Sequence, residues 1–290
     1  MLDYLATTQP EPACIIGITG TPGAGKSTLV GELAQRLVRL RADIRVGVLA
    51  IDPSSQISGG ALLGDRTRIR FPVDEPRLYF RSQASDLDLG GLGRHSYAVC
   101  RLMRLLFDFV FVETVGIGQS EIDVRYLADR SYLVLAPLGG DQVQFMKAGI
   151  MEIPDAFIVN KCDEGEVADR TYHMLRASLG LARPLDAGQD GSKLTIHRTS
   201  ATTGRGLDAL VAEIAATTRR LERTTERDSY FFRKWVRDCY GLTGLRALQG
   251  AQPTLAALAQ QGYEAAQGAF EPYYRAWLQR GEDGALGNWR

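Results

Sequence analysis

Histidine and cysteine are scarce in this sequence, and their spacing excludes several classes of protein. The 290 residues include only 3 histidines and 4 cysteines. His95, His173 and His197 are not at metal-ligand spacing with one another or with a cysteine, so each is interpreted as a surface or packing residue. No C-x-x-C pair occurs, which argues against a disulfide scaffold and favours a reducing, cytoplasmic location.

Net charge and long apolar runs are also missing. The 34 basic and 34 acidic side chains give a formal net charge of zero. That balance argues against nucleic-acid or anionic-membrane partners held by bulk charge. No run approaches the roughly 18 apolar residues of a membrane span, and the N-terminus lacks the basic flank and apolar core of a signal peptide. We therefore expect a cytoplasmic protein without a nucleic-acid or membrane partner.

Short apolar runs alternate with helical patterns from residue 14 to about residue 215. Such runs, apolar on both faces and separated by helices, indicate a mostly parallel sheet covered on two sides. The predicted strands are Cys14–Thr19, Arg45–Ile51, Leu78–Arg81, Phe109–Glu113, Tyr132–Ala136, Ala156–Asn160 and Leu194–Thr199. The predicted helices are Lys26–Leu40, Arg94–Leu106, Val143–Met151, Val167–Leu179 and a helix from Leu207 onward. The fold class is therefore α/β, and its ligands are expected at the carboxyl ends of the strands.

Residues 20–27 read G-T-P-G-A-G-K-S and lie between the first predicted strand and the first predicted helix. They fit G-x-x-x-x-G-K-[ST], the loop whose backbone amides surround phosphates. Lys26 is expected to reach the β- and γ-phosphates, and the Ser27 hydroxyl to bind Mg²⁺. Thr28 follows at the helix start, where the dipole favours anions. The predicted phosphate-binding residues are Gly20, Thr21, Pro22, Gly23, Ala24, Gly25, Lys26, Ser27 and Thr28.

The tetrapeptide N-K-C-D at residues 160–163 identifies the base. A carboxylate at Asp163 can accept hydrogen bonds from both the ring N–H and the exocyclic amine of guanine, and adenine offers no such pair. Losing two hydrogen bonds to a charged acceptor separates GTP from ATP by orders of magnitude. Asn160, Lys161 and Asp163 are therefore predicted to bind guanine. Ser200, Ala201 and Thr202 follow a predicted strand where GTPases place a loop over the base.

Acidic residues at strand ends predict a metal and catalytic site. Glu113 ends a buried strand and can hold a metal-bound water, and Gly116 can bring its amide close to the γ-phosphate. Asp52 ends another strand and Asp65 lies in a glycine-rich loop, so both are candidates for supporting Mg²⁺. The predicted catalytic residues are Lys26, Asp52, Glu113 and Gly116, and the predicted metal site is Ser27, Asp52, Asp65 and Glu113. The alternatives are a capping role for Glu113, a turn at Asp52 and a solvated position for Asp65.

The composition changes after about Arg219. Arg219–Arg227 is mostly charged and polar, which predicts a solvated stretch before aromatic residues return. A helix is predicted from about Pro253, and a further helix opened by Pro272, because proline suits a first helical turn. This helical arm favours an oligomer contact, and folding back onto its own domain is the alternative. The predicted organisation is a short N-terminal extension (1–13), a P-loop GTPase domain (14–218), a helical arm (219–280) and a flexible tail (281–290).

Together these motifs resemble the MeaB/ArgK family of P-loop GTPases. The resemblance rests on residues 17–28, 52–55, 59–68 and, most distinctively, on V-E-T-V-G-I-G-Q-S-E at residues 112–121. It runs from about residue 14 to residue 215, and more loosely through the arm. Family members usually have a helical segment of several dozen residues before the first strand, whereas about 13 residues precede it here.

The resemblance implies a GTPase chaperone for adenosylcobalamin-dependent acyl-CoA mutases, chiefly methylmalonyl-CoA mutase. In that role GTP binding and hydrolysis, with Mg²⁺, time cofactor delivery to the mutase and protect it, and hydrolysis is slow until the partner stimulates it. The resemblance also implies a homodimer joined through the arms. Its segment coupling nucleotide state to the partner corresponds here to residues 139–147, where the spacing of Asp141, Gln144 and Lys147 predicts one helical face. The alternative for these three residues is an ordinary solvated face.

Three other functions are alternatives to this interpretation. A nickel-delivery GTPase predicts histidine-rich tracts or cysteine pairs, and the sequence has neither. A transport-linked kinase or ATPase is opposed by the guanine motif and by the lack of a recognisable acceptor-substrate site. A nucleotide-gated scaffold with negligible hydrolysis remains consistent with the sequence.

Overall fold

Within the described residues, seven parallel strands form one sheet. They are β1 (Cys14–Gly20), β2 (Val46–Asp52), β3 (Leu78–Ala84), β4 (Phe109–Glu113), β5 (Arg130–Leu135), β6 (Ala156–Val159) and β7 (Thr195–Arg198). Their order across the sheet is β3-β2-β4-β1-β5-β6-β7, and each neighbouring pair is parallel. The predicted α/β class with a mostly parallel sheet is confirmed.

The computed structural model describes residues 13–52, 69, 71–84, 92, 95–114, 120–137, 154–182, 195–217, 224–250 and 262–285. The chain divides into two compact units, Met1–Arg219 and Arg220–Arg290. None of the helices in these described ranges combines the length and the apolar character needed to span a membrane.

Helices cover both faces of the sheet in the first unit. They are α1 (Lys26–Leu40), α2 (Ser96–Leu106), α3 (Ser120–Leu127), α4 (Glu166–Ala182) and α5 (Leu207–Ala215). Alternate residues of β1 point to opposite faces. Ile16 and Ile18 share a core cluster with residues of α1 and α5, whereas a Cβ on Gly17 would lie 2.3 Å from Val124 of α3. The result is a three-layer arrangement, in which α1 and α5 lie on the face opposite α3.

Helix α3 was not predicted from the sequence. Val124, Leu127 and Ala128 are buried at the spacing of one helical face. Ile122, in contrast, is 48% exposed and breaks the apolar periodicity of this short segment. Strand β3 also extends beyond the predicted Arg81 to Ala84. The predicted helix at 143–151 lies outside the described residues.

The second unit contains α6 (Thr224–Gly250) and α7 (Tyr263–Ala285) in its described part. Aromatic rings join the two helices: the Tyr240 and Tyr274 centroids are 4.7 Å apart, and those of Phe232 and Phe270 are 5.9 Å apart. Gly241 interrupts the helical backbone of α6 with φ 61° and ψ −154°. This unit is therefore held together by a cluster of edge-to-face aromatic contacts.

Two predictions for the second unit are wrong. Pro272 lies inside α7 and does not open a helix. The packing of buried Ala266 and Phe270 continues the helix across the missing proline N–H.

The predicted solvated stretch ends early, because α6 begins at Thr224 and Arg227 is 1% exposed. Arg227 precedes buried Phe231 by one helical turn, so the helix turns both side chains to the same buried face. Helix α7 also continues to Ala285, into the predicted tail, and the predicted helix start at 253 lies outside the described residues.

Candidate nucleotide-binding site

The loop between β1 and α1 depends on glycine for its backbone path. Gly20 has φ 144°, and a Cβ there would lie 2.0 Å from the carbonyl oxygen of Val134. The Thr21 amide donates a hydrogen bond to that same oxygen at 3.2 Å. Gly23 and Gly25 have φ values of 75° and 81°, in the left-handed region that favours glycine. Gly25 is the N-cap of α1 and has no capping side chain, so the first-turn amides are suited to an anion.

Lys26 and Ser27 begin α1 and are both buried, at 6% and 7% exposed. The Lys26 ammonium donates to the carbonyl oxygens of Gly20 at 3.0 Å and Thr21 at 3.1 Å. The Ser27 hydroxyl donates to Oε1 of Glu113 at 2.7 Å. Ser27 and Glu113 therefore meet at the end of β4, although the rest of α1, β2, β3 and α2 separate them in the sequence.

The donor set at this point suits Mg²⁺, because hydroxyl and carboxylate oxygens are the ligands that this ion prefers. Glu113 pairs in register with Ala50 of β2, and Asp52 ends that strand two positions further on. The side chain of Asp52 lies outside the described part of the chain. Asp65 and Gly116 lie outside it as well, together with Asp141, Gln144 and Lys147. In the part that is described, no group of three His, Cys, Asp or Glu side chains is placed to hold a metal ion.

Asn160 follows β6 and connects the two nucleotide motifs through its buried amide. Its Nδ2 donates to the carbonyl oxygen of Ala24 at 2.9 Å. Its Oδ1 accepts from the Thr199 hydroxyl and from the Ala201 amide, each at 3.2 Å. A Cβ on Gly25 would lie 2.8 Å from Nδ2, so this close approach requires glycine. The phosphate loop and the loop after β7 are thus joined by one side chain that is 1% exposed.

Lys161 and Asp163 complete the guanine motif. Lys161 has φ 58°, the one positive φ outside glycine among the described residues, and such strain concentrates at functional sites. Asp163 is exposed. A hydrogen bond from the Ser200 side chain, aided by the backbone amide of Asp163 itself, lowers the pKa of Asp163 below its ordinary value. Asp163 is therefore ionised at neutral pH and presents a charged acceptor.

The loop after β7 is closed by its own hydrogen bonds. The Ser200 amide donates to the carbonyl of Arg205, and the Gly204 amide donates to the carbonyl of Ser200, both at 2.9 Å. The Thr203 amide donates to the Ser200 hydroxyl at 3.1 Å. Gly206 has φ 73°, and a Cβ there would lie 2.1 Å from the Arg198 carbonyl oxygen. This loop holds Ala201 largely buried and leaves Thr202 exposed.

Two threonines beneath the phosphate loop were not assigned a role from the sequence. The Thr114 hydroxyl donates to the Thr19 hydroxyl at 3.0 Å, and the Thr114 amide donates to the carbonyl of Ile18 at 3.0 Å. Both threonine side chains are buried. They fix the residue that leads from β4 into the 115–119 segment. The sequence does contain a signal for this pair, because Thr19 lies near the end of β1 and Thr114 directly follows β4, and both strands are mostly apolar.

The carboxyl ends of β1, β4, β6 and β7 therefore bring the phosphate loop, Glu113, the guanine motif and Ser200–Ala201 to one edge of the sheet. A parallel three-layer sheet with this loop after β1 and this tetrapeptide after β6 defines a P-loop protein of the GTPase class. The chain belongs to the MeaB family: the family model described as "Methylmalonyl Co-A mutase-associated GTPase MeaB" matches residues 4–239. The family resemblance drawn from the motifs is confirmed.

Individual relatives agree with this assignment. A protein of Pyrococcus horikoshii, named as a provisional GTPase, is 44% identical over 203 residues, which cover 70% of this chain and 63% of that protein. The Caenorhabditis elegans protein named "Methylmalonic aciduria type A homolog, mitochondrial" is 40% identical over 153 residues, covering 52% of this chain and 38% of its own length. The matched part of this chain thus spans less than two thirds of the length of these relatives.

Solved structures share the fold. A "LAO/AO transport system kinase" aligns with a TM-score of 0.58 and 23% identity, covering 96% of this chain and 86% of its own. HypB from Helicobacter pylori, solved in complex with nickel, aligns with a TM-score of 0.53 and 16% identity, covering 74% of this chain and 91% of its own. At these identities the likeness demonstrates a common P-loop architecture and nothing about ligands.

Proposed function

We propose that this protein is a GTPase chaperone that gates delivery of adenosylcobalamin to a cobalamin-dependent acyl-CoA mutase, such as methylmalonyl-CoA mutase, and protects that enzyme. The observation that carries the nucleotide part is the Asn160 amide, which joins a guanine motif to a phosphate loop at 2.9 Å from the Ala24 carbonyl. The family description, which names a mutase-associated GTPase, supports the partner.

In the proposed complex, guanine lies against the 160–163 motif and the Ser200–Ala201 loop. The ionised Asp163 carboxylate accepts from the ring N–H and the exocyclic amine of the base. The phosphates lie at the amino end of α1, where the helix dipole and the first-turn amides attract them. The Lys26 ammonium then exchanges its two carbonyl partners, Gly20 and Thr21, for oxygens of the β- and γ-phosphates, which stabilises the charge that develops on hydrolysis.

Mg²⁺ would be held by the Ser27 hydroxyl, with Glu113, Asp52 and Asp65 as the supporting carboxylates. When bound, the ion neutralises charge on the β- and γ-phosphates. Glu113 accepts the hydrogen bond of Ser27 and so fixes the rotamer of the hydroxyl that would bind the ion. The Gly116 amide follows β4 and is proposed to sense the γ-phosphate. Hydrolysis is proposed to be slow in the isolated protein, and a hundredfold stimulation by the mutase requires about 2.7 kcal/mol of added transition-state stabilisation.

The proposed organisation is the GTPase domain over residues 14–218 and a dimerising arm over 219–280. Leu242 and Leu278 of the arm are 74% and 40% exposed, and an interface with a second copy would remove them from water. Asp141, Gln144 and Lys147 are proposed to couple nucleotide state to the mutase. Four free cysteines, three of them buried, are consistent with a reducing cytoplasm.

The test is GTP hydrolysis by the purified protein, alone and with the cobalamin-dependent acyl-CoA mutase of its host. Clear stimulation by the mutase supports the chaperone role. Binding and slow cleavage of GTP without stimulation would reject that mutase as the client. Asp163→Asn is the control for base recognition, because it removes the charged acceptor and should reduce the preference for GTP over ATP by more than about 100-fold.

A further inference from the structure

Arg36 extends from α1 to the loop after β7. Its Nη1 donates to Oδ1 of Asp208 at 2.5 Å, in the first turn of α5. Its Nη2 lies 2.7 Å from the position that a Cβ on Gly204 would occupy. The guanidinium therefore occupies the space that a side chain at position 204 would need, and Gly204 itself has φ 80°. The Arg36 side chain is 25% exposed.

The two parts that Arg36 connects are each held by their own packing or hydrogen bonds. On one side, α1 is buried against the sheet through residues such as Leu33 and Leu37 and begins with Lys26. On the other side, the Gly204 amide donates to the Ser200 carbonyl at 2.9 Å, and the Leu207 amide donates to the Gly204 carbonyl at 3.3 Å. A displacement of Gly204 is therefore transmitted to Ser200 and to the neighbouring Ala201.

We propose that Arg36 is a positioning residue for guanine binding. It holds the 200–206 loop in a fixed relation to the helix that carries the phosphate loop, as a second connection beside Asn160. The inference rests on the proposed binding of guanine nucleotides. The ion pair itself contributes little, because the Asp208 side chain is 89% exposed and such pairs are screened by solvent. Contact between a planar guanidinium and the glycine backbone carries the effect, and the lysine ammonium cannot reproduce that geometry.

The experiment measures dissociation of a fluorescent GDP analogue from the full chain and its Arg36→Ala, Arg36→Lys, Asp208→Asn and Arg39→Ala variants. Arg39 is on the same helix and exposed, so it is a matched control for loss of a positive charge. Arg36→Ala should raise the dissociation rate about 3–10-fold, since losses at a binding surface appear mostly in this rate. Arg36→Lys should recover only part of the loss, and Asp208→Asn should change the rate less than about 2-fold.

A second readout separates positioning of the base loop from a general structural role. Tripolyphosphate with Mg²⁺ has no base, so it would use the phosphate loop alone. Its affinity, measured by competition with the GDP analogue and corrected for the affinity of that analogue, should be the same for Arg36→Ala and Arg39→Ala. Equal GDP dissociation rates in the wild type and Arg36→Ala would overturn the inference. So would a parallel loss of tripolyphosphate affinity. Failure of the wild-type protein to bind GDP at all would instead overturn the proposed function.

Gly204→Ala gives an independent route to the same question. The added methyl group would displace the guanidinium, so this substitution should also speed GDP release. In the Arg36→Ala background this clash is absent. The double variant should therefore release GDP more slowly than the product of the two single-variant effects predicts. Strict multiplication of the two single effects would mean that Arg36 and Gly204 act separately, which contradicts the proposal.

Discussion

The Asn160 Nδ2 atom lies 2.9 Å from the carbonyl oxygen of Ala24, so the guanine motif and the phosphate loop share a buried hydrogen bond. On the other side of the same amide, Oδ1 accepts from Thr199 and Ala201. Asn160 is therefore a structural part of the site before it contacts any ligand. Its hydrogen bonds therefore oppose a shift of the base half of the site relative to the phosphate half.

Replacement of Asn160 by alanine should weaken both nucleotide binding and folding. It leaves the Ala24 carbonyl and the Ala201 amide buried without this partner, and each such group costs about 1–3 kcal/mol. We expect the free energy of unfolding to fall by about 2–4 kcal/mol and GDP affinity to fall at least about 10-fold. Urea unfolding and GDP titration measure the two effects. An unchanged unfolding midpoint in Asn160→Ala would contradict this structural role.

Replacement of Ser27 by alanine should selectively remove the effect of Mg²⁺. The variant lacks the hydroxyl that donates to Glu113 at 2.7 Å and that is proposed to hold the ion. In the wild type, removing Mg²⁺ with EDTA should weaken GTP binding, because charge on the phosphates is no longer neutralised. In Ser27→Ala the affinities with and without EDTA should differ less than about 3-fold. A wild-type response to EDTA in the variant would exclude Ser27 from the metal site.

Local patterns in the sequence were sufficient to predict the parallel sheet and the loops at its edge. The glycines of the phosphate loop and the apolar run of β4 predict their local structure without information from distant residues. The predictions at Pro272 and Arg227 are wrong because burial, of Phe270 beside the proline and of Arg227 itself, depends on tertiary packing that a local pattern does not report. The contacts of Arg36 with Gly204 and of Thr19 with Thr114 were also missed, since each depends on which strands and helices become neighbours.

Replacement of Gly17 by alanine tests the packing of α3 on β1. The new Cβ would lie 2.3 Å from Val124 Cγ1 and 3.0 Å from the Ala128 Cβ, so α3 must move. Overpacking of this kind costs about 1–3 kcal/mol. Urea unfolding should detect that loss, and Gly17→Ala should cost less in a Val124→Ala background, where the clashing methyl groups are absent. An equal cost in the two backgrounds would show that the Val124 contact is not the cause.

Glu213 of α5 lies among three polar groups of β5 and β7, of which Tyr132 is buried and Arg130 and His197 are half-buried. The Tyr132 hydroxyl donates to its Oε1 at 2.9 Å, and Arg130 Nη2 lies 2.6 Å from that atom. His197 Nε2 lies 3.0 Å from Oε2. Burial alone would raise the pKa of Glu213, but the hydrogen bond and charge of His197, the charge of Arg130 and the Tyr132 hydrogen bond lower it to about 2.

The lowered pKa of Glu213 predicts a specific acid dependence of stability. In the unfolded chain this carboxyl titrates near its ordinary pKa of 4.5, so its stabilising contribution is complete above pH 4.5 and is lost as pH falls towards 2. Glu213→Gln should lower the free energy of unfolding by about 1–3 kcal/mol at pH 7 and reduce the loss of stability below pH 4.5. Urea unfolding at pH 7, 4.5 and 3.5 measures both, with exposed Asp74→Asn as the matched control. An acid dependence as steep in Glu213→Gln as in the wild type would assign the acid sensitivity to other carboxyl groups.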